Sequence, residues 1–168
     1  MSIRRRNIFG LVILAIVVLN MIAFFHAYKF THFSDGNRER TDPKELTFFG
    51  KLETLAFGVD NPRPQNTSKP AGPFKTLVIP HEGDTIECWY VPVDNSKGTV
   101  LVFHGYAGNK SQMIKESNQF NELGYETILV DFLGSGGSTG NNTTIGFYES
   151  DQVKTVFDFV KMNGHERF

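Results

Sequence analysis

The chain carries a single cysteine, Cys88, in 168 residues, which excludes an internal disulfide and any metal site built from several thiolates. Set between Glu87 and Trp89, that cysteine reads as a strand residue that packs rather than reacts. An excess of either charge is also missing. With 17 Lys+Arg against 18 Asp+Glu, the formal net charge is -1, so no general attraction for nucleic acid is expected. Arg4-Arg5-Arg6 is the basic cluster, and it stands directly before an apolar run. Internal repeats are absent, which excludes solenoid and propeller arrays. What remains is an ordinary globular composition, 40% apolar and 21% charged, with room for one domain.

The run "IFGLVILAIVVLNMIAFF", Ile8 to Phe25, is apolar apart from Asn20. As a helix it extends ~27 Å, close to the ~30 Å of a bilayer's hydrocarbon. The alternative is a cleaved signal peptide, but the run exceeds the usual apolar core of one and "FFHAYKF" is a poor cleavage site. An uncleaved anchor is therefore expected, contacting lipid through Ile8–Phe25. Three arginines before it against Lys29 after it predict a cytoplasmic N-terminus, with the rest outside the cytoplasm.

Residues 31–73 read as an irregular, Pro-rich lead-in, since Asp60 to Pro73, "DNPRPQNTSKPAGP", contains Pro62, Pro64, Pro70 and Pro73, each removing a donor. From Lys75 the punctuation becomes regular. "KTLVIPH", "EGD" and "TIECWYVPV" predict a hairpin around a tight glycine turn, and "TVLVFHG" predicts a strand covered on both faces, as in a parallel sheet. "NKSQMIKESNQFNELG" predicts a helix capped by Ser111, lined by Met113, Phe120 and Leu123, and stopped at Gly124. "YETILVDF" follows as a second buried strand. "GFYESDQVKTVFDFVKMNG" then puts Val153, Val156, Phe157 and Val160 on one helical stripe, ending at Gly164. The class is α/β, an antiparallel hairpin leading into parallel strands with flanking helices.

Two loops carry glycine after a strand. In "VLVFHGYAGNKS" two residues separate Gly105 from Gly108 and Asn109 stands before Lys110, which breaks the phosphate-binding loop spacing. Nor does the segment from Gly134 to Thr139 satisfy G-x-G-x-x-G. No cofactor and no metal site is expected. Gly136-Gly137-Ser138-Thr139-Gly140 does fit G-x-S-x-G, the pattern that presents a serine nucleophile on a strand-to-helix turn. Yet Ser138 lies several residues past its strand, and Thr139 to Thr144 intervene before the next apolar residue. A structural loop is the expected role, with Ser138 as an unconventional nucleophile the alternative. Glu149 and Asp151 read as first-turn helix acids in a solvated or dipole-favoured role.

Taken together, "TVLVFHGYAGNKS", "LGYETILVDFLGSGGSTG" and "TTIGFYESDQVKTVFDFV" resemble the N-terminal half of an α/β-hydrolase, similar to the membrane-anchored bacterial serine aminopeptidase and lysophospholipase-like branch, from about Phe74 to Asn163. The resemblance implies a central, mostly parallel sheet and a Ser-Asp/Glu-His triad in that chain order. It also implies an oxyanion donor at the residue after His-Gly, here Tyr106, and structural roles for His104, Gly105, Asp131, Gly134 and Gly136. The true nucleophile turn comes one helix and one strand later, with that strand expected to begin at "HERF", His165 to Phe168. The organisation implied is a cytoplasmic stub and anchor at 1–30, the lead-in at 31–73, and a partial hydrolase domain at 74–168. The expected function is serine hydrolysis of a small acyl or peptide-like ester, thioester or amide, with this chain an N-terminal fragment inactive by itself. A non-catalytic anchored binding or scaffold module is the alternative.

Overall fold

A computed structural model describes residues 3–34 and 44–163. Gly164 and the His165–Phe168 segment, the expected helix stop and next strand, lie outside the described residues.

The apolar N-terminal run forms α1 (Ile3–Thr31). Within its stretch Arg6–Thr31 an 18-residue window reaches a mean hydropathy of 2.9, with none of that window buried, so by length and composition α1 is long and apolar enough to cross a membrane. Asn20, the polar residue inside the run, donates from Nδ2 to the Ile16 carbonyl at 2.8 Å. Its amide is thus satisfied within the helix. The segment 31–73, expected to be irregular, contains a helix, α2 (Phe48–Phe57), whose N-cap Thr47 accepts from the Gly50 amide. Of its described prolines, Pro64, Pro70 and Pro73 lie outside regular elements, and Pro62 joins Ser34 in an isolated bridge.

The hairpin is β1 (Lys75–His81) and β2 (Asp84–Val91), paired from Lys75↔Tyr90 to His81↔Asp84. Its two-residue loop puts both Glu82 (φ 49°) and Gly83 (φ 94°) in the left-handed region, the geometry whose twist matches that of the strands. Next come β3 (Thr99–Phe103), a 3-10 turn (Lys110–Met113), α3 (Ile114–Glu122), β4 (Glu126–Val130) and α4 (Glu149–Met162). The sheet order is β1-β2-β4-β3, with β4 antiparallel to β2 and parallel to β3.

Apolar side chains face both ways from this sheet, as the alternation in β2 requires. One layer joins Ile79, Ile86, Cys88, Ile128 and Val130 to Val156 and Val160 of α4. The other joins Trp89, Val91, Val102 and Leu129 to Phe74, Met113 and Ile114. Each fully buried aliphatic contributes about 1.5–3 kcal/mol, so β4, buried at every position, is the anchor of the fold.

Three local expectations are corrected. The strand buried at every position is β4; β3, expected to be covered on both faces, has β4 as its one paired neighbour among the described residues, and Val100, Leu101 and Phe103 are partly exposed. The cap after β3 is Asn109, whose side chain accepts from the Ser111 amide, and α3 packs through Met113, Ile114 and Ser117 while Leu123 is exposed. On α4 the inward stripe is Glu149, Gln152, Val156 and Val160, and Phe157 is partly exposed. Gln152 is accommodated in the buried stripe because its Oε1 accepts the Leu133 amide at 2.9 Å.

Candidate functional site

Asp131 follows directly on β4 and is fully buried. Its Oδ1 accepts the Lys110 amide at 2.7 Å, and its Oδ2 accepts the Asn66 side chain at 2.8 Å, the Gly137 amide at 2.9 Å and the Lys110 ammonium. Lys110 is equally buried; it also binds Glu87 Oε1 at 2.7 Å and sits 4.5 Å from the centre of the Trp89 ring. Asp131 is therefore the centre of an ionic cluster, in which buried charges are tolerated because each is paired and hydrogen-bonded. Cys88 lies beside it, its thiol pushed up to about 12 by burial, with Lys110 pulling the other way.

The glycine loop is shaped by this cluster. A Cβ on Gly136, where φ is +50°, would overlap the Asp131 carboxylate, and one on Gly137 would overlap that of Glu87. Gly134, at φ +81°, leaves no room between its own backbone and that of Asn142. Arg63 of the lead-in donates to the carbonyls of Gly136, Ser138 and Gly140, closing the loop from outside. Ser138 is buried; its Oγ donates to the Asp131 carbonyl at 2.6 Å and accepts the Glu87 amide at 2.8 Å. The hydroxyl stitches β2 to the end of β4.

His104 and Gly105 end β3. The ring Nδ1 donates to the Gly105 carbonyl at 2.8 Å, and Nε2 accepts the Phe132 amide at 3.1 Å, which fixes the neutral tautomer. Burial lowers the pKa of His104 below its ordinary value, in keeping with a ring whose second nitrogen must accept. The chain then turns through Gly105, Tyr106 and Ala107, the last at φ 51°, and the Gly108 amide closes on the Gly105 carbonyl at 3.1 Å. Tyr106 donates its hydroxyl to the Phe30 carbonyl at 2.6 Å and stacks on the Phe30 ring at 4.7 Å.

A cavity of about 380 Å³ opens beside this turn, walled by His104, Tyr106, Phe132, Ser135, Glu149 and Val153 among others. Glu149, in the first turn of α4, is buried, so of its two expected roles the solvated one does not apply. Burial alone would raise its pKa. The Thr143 and Thr144 hydroxyls and the Thr144 and Gly146 amides all donate to it and outweigh that, bringing it down to about 2. It ties the loop before α4 to the first turn of that helix, while Asp151 remains exposed.

Of the residues singled out by sequence, the structure brings His104, Gly105 and Tyr106 together on the cavity and gathers Asp131, Gly136 and Ser138 into the ionic cluster behind it. Sequence reasoning missed Lys110, Glu87, Asn66 and Arg63. Only Arg63, between two prolines, carried a signal, since a cation in a segment without its own hydrogen bonds is free to serve carbonyls elsewhere. Among the described residues, no group of three or more His, Cys, Asp and Glu side chains is placed to hold a metal ion.

Comparison with known proteins fits this geometry. No protein-family profile matches the chain. An uncharacterized protein of Bacillus subtilis, YqkD, is 30% identical over 92 residues, 54% of this chain and 30% of YqkD. The esterase Pf2001 of Pyrococcus furiosus superposes with a TM-score of 0.55 and 26% identity, over 63% of this chain and 42% of the esterase. The α/β-hydrolase GrgF of a Penicillium species superposes with a TM-score of 0.50 and 20% identity, over 55% of this chain and 33% of GrgF, a likeness of fold alone. The chain thus spans less than half the length of the proteins it matches. Its described sheet is a partial α/β-hydrolase fold.

Proposed function

We propose that this chain is the N-terminal, oxyanion-binding part of a membrane-anchored serine hydrolase of the aminopeptidase and lysophospholipase-like branch, acting on a small acyl or peptide-like ester, thioester or amide. The observation that carries the reading is the His104-Gly105-Tyr106 turn at the end of β3, on the wall of a cavity. Acyl transfer develops negative charge on a carbonyl oxygen, and a backbone amide fixed in advance beside the reacting carbon stabilises it. Tyr106 supplies that amide, and the rigid neutral ring of His104 holds the turn. In such enzymes the nucleophile is exposed on a strained strand-to-helix turn; Ser138, buried and bonded through its Oγ in both directions, does not fit that part. By this reading the nucleophile and base come from chain that adds to the β3 edge, and the residues 1–168 are inert without it.

The membrane part of the proposal rests on α1. Its unburied apolar surface and its internally satisfied Asn20 suit a helix that spans lipid with the N-terminus in the cytoplasm and the sheet outside. The decisive experiment is treatment of the detergent-solubilised full chain with a fluorophosphonate probe. No labelling is expected, and labelling at Ser138 would refute the assignment of that residue to the scaffold.

A further inference from the structure

α2 has no buried residue, yet its sequence FFGKLETLAF is largely apolar. Phe48, Leu52 and Leu55 stand at i, i+4 and i+7, one stripe of a helix, and are 72%, 47% and 68% exposed, with Phe49 beside them at 79%. The opposite side is used: Phe57 packs edge-on against Phe25 of α1 at 5.4 Å, and the Leu55 carbonyl meets His26 Nε2 at 2.9 Å. Lys29 pairs with Asp60 at 3.0 Å just past this joint. Phe25 is the last residue of the apolar run Ile8–Phe25, so α2 is fastened where α1 leaves the hydrocarbon. Amphipathic helices lie at that boundary between headgroups and acyl chains, their apolar faces about 5–10 Å into it.

The sheet is joined to the same helix end without slack. The Phe33 amide donates to the Asn141 carbonyl at 2.6 Å, the Thr143 amide to the Thr31 carbonyl at 2.8 Å, and Asn61 Nδ2 to the Lys29 carbonyl at 2.9 Å. Phe33 and Tyr106 both line the cavity, and Phe30 of α1 stacks on Tyr106.

We propose that α2 is a second membrane-contacting element, seated in the interfacial layer of the bilayer that α1 crosses, with the Phe48, Leu52 and Leu55 stripe among the acyl chains. The occupant of that face is lipid because the face continues the uncovered apolar surface of α1 at the level where the two helices touch. Two attachments fix an orientation that one helix leaves free to swivel, and they hold the cavity at the membrane surface. The inference rests on the reading of α1 as a spanning helix.

The test uses the full chain carrying Leu52→Trp, Leu14→Trp or Val78→Trp, reconstituted into phosphatidylcholine vesicles brominated at shallow or at deep acyl positions. Emission is read above that of the buried Trp89. Leu14→Trp is expected to lose most emission to deep bromines, Leu52→Trp to shallow ones, and Val78→Trp, on the far hairpin, to neither. Phe48→Trp repeats the reading if Leu52→Trp fails to reconstitute. Quenching of Leu14→Trp with both stripe variants behaving as Val78→Trp would overturn the seating of α2 while leaving the anchor intact. Loss of quenching at Leu14→Trp would instead remove the anchor, and this inference with it.

Discussion

Lys110 and Asp131 form an ion pair in which neither side chain is accessible to solvent. Removing one member strands the other in a low-dielectric interior, a cost of about 3–5 kcal/mol. Lys110→Met is therefore expected to lower thermal stability sharply, read from the near-UV circular dichroism of the full chain in detergent. Lys110→Met combined with Asp131→Asn should be less damaging than the sum of the two single changes, by about 0.5–3 kcal/mol. Strict additivity would mean that the pair is not coupled.

The glycines of the loop make a sharper test, because space and dihedral angle act together at Gly136. Gly136→Ala must displace the Asp131 carboxylate and hold φ at +50°, a combination of steric overlap and the roughly 1–2 kcal/mol left-handed penalty. Gly137→Ala meets the Glu87 carboxylate without the dihedral strain. Gly72→Ala, with nothing within 4 Å, serves as the neutral control. The expected order of melting temperatures is Gly72→Ala above Gly137→Ala above Gly136→Ala; a Gly136→Ala protein as stable as the control would contradict the packing described.

Ser138→Ala removes one hydroxyl that both donates and accepts inside the protein. The Glu87 amide and the Asp131 carbonyl lose their shared partner, which costs about 1–3 kcal/mol for a buried polar group left unmet. The variant is expected to melt lower than the parent and to react with acyl-directed probes no differently from it. A change in labelling with unchanged stability would give Ser138 the chemical role denied to it here.

Much of this fold was legible in the sequence because sheet periodicity is a local property. β1 was bounded correctly, and Gly83 announced the hairpin. α2 was not legible, since ten residues with an internal glycine become a helix only by leaning Phe57 on Phe25, a partner far away in the chain. The ionic cluster was hidden for a similar reason. Nothing near Lys110 foretells that its ammonium meets a carboxylate twenty-one residues on, and a lysine in a glycine-bearing loop suggests phosphate first. Glu149 looked like a helix-start acid because its donors, Thr143, Thr144 and Gly146, precede it in a loop whose path the sequence does not specify.

Stability should fall with acid in two stages. The folded-state pKa of His104 is depressed, so the unfolded chain takes up the proton first and stability declines as pH drops below the ordinary histidine value of about 6.5. Glu149 is depressed from 4.5 to about 2; its contribution is complete above the unfolded value and disappears as pH falls from 4.5 toward 2. Glu149→Gln should flatten the second stage and leave the first untouched. Melting temperatures measured from pH 8 to pH 3, at intervals of about half a unit, check both, and an unchanged lower stage in Glu149→Gln would assign it to another carboxylate.

β3 and β4 are parallel neighbours with unequal surroundings, and amide exchange reads that inequality directly. Successive amides of a strand point to opposite sides within the sheet, so a strand flanked by two partners is protected throughout, and an end strand is protected at alternate residues. Glu126–Val130 lies between β2 and β3, whereas Thr99–Phe103 pairs with β4 alone among the described residues. Exchange of the full chain in detergent should therefore be uniformly slow along β4 and alternate between slow and fast along β3. The fast amides are the donors to which an added strand would bond, since an unpaired strand edge is a template for further pairing. Uniform protection along β3 in a monomeric sample would show that the edge is already occupied, and the site would then have to be completed elsewhere.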